Sequence, residues 1–132
     1  MYTNETRKSP ARSSWGQQYQ VVANHIDINW TLIETTKRIT AGDLITARRR
    51  ILQHMQEQGV APKHQVLDNY IPKAYKAEIL DTGMTFQMEL PDNHQRNIAE
   101  KSIQTWKDYF IGVMSGTATT FPMHLWCQAI PQ

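Results

Sequence analysis

Between Thr40 and Met114 the sequence alternates between two periodicities, and this alternation restricts the available folds more than any other feature. Leu44, Ala47, Ile51 and Met55 recur at helical spacing, with Ile45 and Leu52 widening the stripe. Gln65-Val66-Leu67 is a short extended run that ends at Asp68-Asn69. A second helix is predicted from Ile71 to Leu80, with Pro72 suited to its first turn. Met84, Phe86, Met88 and Leu90 then alternate, the period-two mark of a half-buried strand. A longer helix is predicted from His94 to Met114, with Ala99, Ile103, Trp106, Phe110 and Val113 on one face. Strands separated by helices are joined by crossovers and lie parallel.

The pattern before residue 40 is different. Tyr19–Ala23 and Trp30–Thr36 read as strands with a short link and a turn at Asn29, which makes them an antiparallel hairpin. Met1–Thr6 is predicted to pair as an edge strand, because Tyr2, Thr3 and Thr6 favour extended backbone. The punctuation agrees with these boundaries. Thr40 and Asp43 form a capping-box-like pair, Gly59 and Pro62 stop the first helix, and Asp81-Thr82-Gly83 and Pro91-Asp92-Asn93 turn the chain. Phe121-Pro122 precedes a final short helix, Met123 to Ala129. The expected fold is α/β: a mixed sheet of three antiparallel N-terminal strands followed by parallel ones, with helices on its faces.

Composition narrows the class. A chain of 132 residues is one domain's worth. Apolar runs of only a few residues exclude a membrane-spanning helix, and no signal-type segment stands near Met1. The single cysteine, Cys127, excludes an intrachain disulfide framework and a cysteine-rich zinc site. An intracellular protein, nuclear or cytoplasmic, is expected. Fourteen Lys/Arg oppose twelve Asp/Glu, but unevenly. Residues 1–63 carry nine basic and five acidic side chains, net +4; residues 64–132 carry five and seven, net −2. Either this is ordinary surface, or one side faces a polyanion while the other gathers carboxylates. Arg48, Arg49 and Arg50 are read as solvated surface, and Trp106, Phe110, Leu125 and Trp126 as core. His124 and Cys127 lack the second ligand pair that a metal site needs.

Four blocks carry a resemblance: Pro10-Ala-Arg-Ser-Ser-Trp-Gly-Gln-Gln-Tyr19, Val66-Leu-Asp-Asn69, His94-Gln-Arg-Asn-Ile-Ala-Glu-Lys-Ser-Ile-Gln-Thr-Trp-Lys107 and Phe121-Pro-Met-His-Leu-Trp126. In order and spacing they resemble the integrase core of copia-type retrotransposons, a ribonuclease-H-like domain, over nearly the whole of 1–132. The resemblance implies metal-dependent cutting and joining of DNA ends. It also implies homo-oligomers, retroelement ends and target DNA as partners, and Mg²⁺ or Mn²⁺ held by two Asp and one Glu. Two such ions activate the attacking oxygen and steady the leaving one.

Asp68 matches the second acidic position and Glu100 the third, 32 residues later. The first position falls on Asn4, six residues before Pro10, where the family has Asp. An amide offers one neutral oxygen in place of two anionic ones, so weak metal binding and weak or absent activity are expected. Asp27 is the alternative first ligand. Other family marks are also lost: Tyr70 replaces a small or acidic residue, and the chain is expected to lack the family's last helices. Gln104 and Lys107 share the helix face of Glu100, while His94 and Arg96 open that helix, so these four are the expected DNA contacts. The competing expectation is a non-catalytic domain of the same fold that binds nucleic acid or assembles.

Overall fold

The computed structural model describes residues 1–6, 8–68, 70–88 and 94–130, with the side chains of 94–100 excepted. Five strands form one sheet: β1 (Tyr2–Glu5), β2 (Tyr19–His25), β3 (Trp30–Thr36), β4 (His64–Leu67) and β5 (Thr85–Met88), in the order β3-β2-β1-β4-β5. β1–β2 and β2–β3 are antiparallel, whereas β1–β4 and β4–β5 are parallel. The antiparallel start and parallel finish are those expected.

The expected place of β1 is corrected. β1 lies at the centre of the sheet, not at its edge. Its sequence, Tyr-Thr-Asn-Glu, lacks the apolar character of a central strand because its buried contacts are polar. The Thr3 hydroxyl accepts from the Gln65 amide at 2.8 Å in place of a packed methyl contact.

The hairpin link is a single 3₁₀ turn, Ile26–Ile28, closed by Asn29 in the left-handed region at φ 47°. Asparagine tolerates that conformation better than most residues. Helix α1 (Ala41–Glu57) starts at the Thr40 cap. The Thr40 hydroxyl accepts from the Asp43 N–H at 3.2 Å and donates to the Asp43 carboxylate at 2.7 Å. Gly59, at φ 75°, ends the helix as its spacing predicts. Helix α2 spans Lys73–Asp81 with Pro72 as its cap, one residue outside the helix and not within its first turn. Helix α3 spans His94–Ser115, and the predicted final helix is a 3₁₀ segment, Met123–Ala129. β5 begins one residue after Met84; Glu89 and Leu90, read as its continuation, lie outside the described residues.

Alternation along β2 divides the interior in two. Val21 and Ala23 join Leu44, Ala47, Ile51, Met55, Leu67, Tyr75 and Ile79 under α1 and α2. Val22 joins Ile103, Trp106, Trp126, Cys127 and Ile130 under α3 and the 3₁₀ segment.

Arg48 departs from its surface reading, for it is wholly buried. Its Nε donates to Gln65 Oε1 at 3.0 Å, and its Nη2 donates to the Thr82 hydroxyl at 3.0 Å and to Met84 Sδ at 3.1 Å. Gln65 passes the network on to Thr3 and, at 3.1 Å, to the Tyr75 hydroxyl. Four elements are joined by it. Arg49 and Arg50 are exposed and pair with Glu78 and Glu34.

Candidate functional site

Strand register determines which polar residues meet. β1 and β4 run parallel with Tyr2 opposite Val66, and the same register two residues on sets Asn4 beside Asp68. Asn4 pairs across the antiparallel ladder with Val22, whose side chain lies in the core under α3. Asn4 is therefore on the α3 face of the sheet. Gln65 and Leu67 turn to the α1 face, so the alternation carried one residue past the end of β4 assigns Asp68 to the α3 face as well. Asp68 sits at the carboxyl end of a parallel strand, where open α/β sheets build their sites.

Asn4 is half-buried, and its side-chain oxygen accepts from the Glu5 N–H at 2.8 Å. Glu5 follows it on the strand. Its half-buried carboxyl is held above the usual glutamate range, first by burial and then by the negative charge of Asp68. The Asp68 charge thus lies close enough to oppose the ionisation of Glu5. The importance of Glu5 escapes the reading from sequence. Its only signal there is that an acid directly follows Asn4.

Glu100 belongs to α3, one helical turn ahead of Ile103, which packs with Val22 against the sheet. Its side chain, with those of His94 and Arg96 in the first turn of α3, lies outside the described residues. Gln104 is exposed and its amide donates to Asp108 at 2.8 Å, within the helix. Lys107 is half-buried beside a cavity. Asp27 does not come near Asp68. It is solvent-exposed in the hairpin link, 3.9 Å from His25 and close enough to affect the amino group of Met1, at the opposite end of β1 from Glu5.

Among the described residues no three His, Cys, Asp or Glu side chains converge as a metal cage. The Asn4 oxygen is already engaged, and the Glu5 and Asp68 carboxylates alone are too few hard anionic donors for a tightly held divalent ion. The described donors do not fit a complete metal site.

Among the described residues, two cavities stand out beside the sheet. One of about 1070 Å³ runs along the outer strand β3 between Trp15, Trp30, His54 and Tyr109; its carboxylate, Glu34, faces Arg50 at 3.6 Å and His54 at 3.9 Å. Despite its size it is remote from Asp68. The other, about 470 Å³, opens on the α3 face between Lys107 and Thr6, which directly follows β1 two residues after Asn4.

No protein-family model matches the sequence. No curated protein matches it. Solved structures do match in fold. The catalytic core domain of BIV integrase superposes with a TM-score of 0.64 at 18% identity, over 89% of this chain and 72% of that one. A chain of the simian T-cell lymphotropic virus intasome, in complex with PP2A regulatory subunit B56 gamma, superposes with a TM-score of 0.69 at 14% identity. That match covers 97% of this chain but only 45% of the intasome chain. The mixed five-stranded sheet with its helices is the ribonuclease-H-like arrangement of an integrase core.

Proposed function

We propose that this integrase-like domain is of the copia type and binds DNA ends across the α3 face of its sheet, with Asn4, Asp68 and Glu100 standing at the three positions of a polynucleotidyl-transferase site. The register that brings Asn4 alongside Asp68 carries this reading. Those two positions come from segments more than sixty residues apart, and the sequence resemblance pairs them without any knowledge of the register. Retroelement ends and target DNA are the partners, and the domain acts as a homo-oligomer in the nucleus or cytoplasm.

The chemistry available to this chain is reduced. A carboxylate at position 4 would add two anionic oxygens, whereas the amide adds one neutral oxygen that the Glu5 N–H already occupies. We therefore read the domain as a weak binder of Mg²⁺ or Mn²⁺ with weak or absent strand-transfer activity. Gln104, Lys107, His94 and Arg96 position the backbone of the DNA without reading its sequence. A second reading, a non-catalytic nucleic-acid-binding or assembly domain, is favoured by the same Asn4 hydrogen bond. Both readings are tested by Asn4→Asp. Calorimetric titration with Mn²⁺ is expected to show tighter binding in Asn4→Asp than in the unmodified chain, with the gain abolished by adding Asp68→Ala. A gain that survives Asp68→Ala, or no gain at all, means that the two positions do not form one site.

A further inference from the structure

We propose that the 470 Å³ cavity beside Asn4 receives one unpaired nucleotide, with its base inside and its phosphate at the mouth; this rests on the DNA-binding reading above. The cavity is of the size that small-ligand sites occupy. Its walls are apolar and fixed. The Trp126 indole N–H donates to the Ala11 carbonyl at 2.9 Å, and Phe110 meets Trp126 edge-on at 6.1 Å and stacks on Trp106 at 5.6 Å. Met114 completes an aromatic and thioether lining suited to a π-face.

Three polar groups suit a nucleotide better than a purely apolar guest. Gln20 is 4% exposed and lines the cavity. Its side-chain oxygen accepts from the Trp106 indole at 3.0 Å, while its amide nitrogen has no partner among the described residues. That nitrogen is a donor at the cavity wall suited to an acceptor on a base edge. Lys8 and Lys107 also line the cavity, and neither forms an ion pair among the described residues. Two uncompensated ammonium groups at the margin of an apolar pocket complement a phosphate attached to a flat, weakly polar ring. Position decides which nucleotide is meant. Thr6 lies at the pocket and Asn4, on the same face of β1, lies beside Asp68, so the pocket adjoins the candidate site. A nucleotide unstacked at a DNA end would place its base here while the adjoining strand runs toward Asp68.

The test compares a blunt duplex with the same duplex carrying a short single-stranded extension, by fluorescence anisotropy at one fixed salt concentration, with deoxyadenosine monophosphate as a third ligand. The extended duplex is expected to bind about tenfold more tightly than the blunt one. Lys8→Gln is expected to cut that preference several-fold, whereas Lys37→Gln, at the far β3 edge, leaves it unchanged. Equal affinity for both duplexes, or a preference untouched by Lys8→Gln, overturns the pocket and leaves the DNA-binding reading standing. Lys8-dependent binding of the mononucleotide without binding of either duplex supports the pocket and overturns the DNA reading. Binding of none of the three ligands overturns both.

Discussion

At residues 4 and 5 two side-chain choices oppose one another. Asn4 places a neutral amide on the strand that adjoins Asp68, and Glu5 places a carboxyl close by, on a neighbouring position with the opposite facing. Glu5 is consequently a carboxylate that the folded chain holds protonated more readily than the unfolded chain does, chiefly through burial. Folding then binds protons at this group. Its contribution to stability is complete below the ordinary glutamate value of 4.5 and is lost as pH rises through the higher folded value. Glu5→Gln is expected to raise the melting temperature at pH 7, and the difference from the unmodified chain should close as pH falls below 4.5. A difference that widens in acid contradicts the assignment of burial as the main cause.

At the scale of elements, Arg48 joins α1 to β4 and to the turn after α2, and through Gln65 it also reaches β1. Truncation leaves a cavity and strips Gln65 Oε1 of a buried donor. Arg48→Ala is expected to cost about 3 kcal/mol by urea unfolding, and Arg48→Met about half of that because it keeps the volume. The neighbouring Arg49→Ala, in an exposed pair with Glu78, should have little effect. If Arg48→Ala proves as mild as Arg49→Ala, the network does not join these elements.

The same residues show what could be read in advance. Elements with apolar periodicity, such as α1 with Leu44, Ala47, Ile51 and Met55, are recognisable because burial of carbon leaves a repeat in the sequence. β1 and Arg48 depart from expectation because their burial is satisfied by hydrogen bonds between elements far apart in sequence, which leave no repeat. Asp68 and Asn4 stand out in the sequence only through flanking residues that resemble a family pattern, and the proximity of Glu5 to Asp68 leaves no local mark because it arises from strand pairing.

For the whole molecule, α3 is the element on which the proposed function converges. Its first turns carry His94, Arg96 and Glu100, its middle packs on the sheet through Ile103 and Trp106, and Lys107 and Phe110 border the cavity next to Asn4. A fold shared with integrase cores does not by itself carry catalysis, because the reaction depends on charge at particular positions of the sheet. The central claim is that this fold is kept while the charge needed at position 4 is absent. A strand-transfer assay with Mn²⁺, run on the unmodified chain beside Asn4→Asp, tests it most directly. The unmodified chain is expected to join DNA ends undetectably or weakly, with Asn4→Asp more active. Efficient joining by the unmodified chain would contradict the claim.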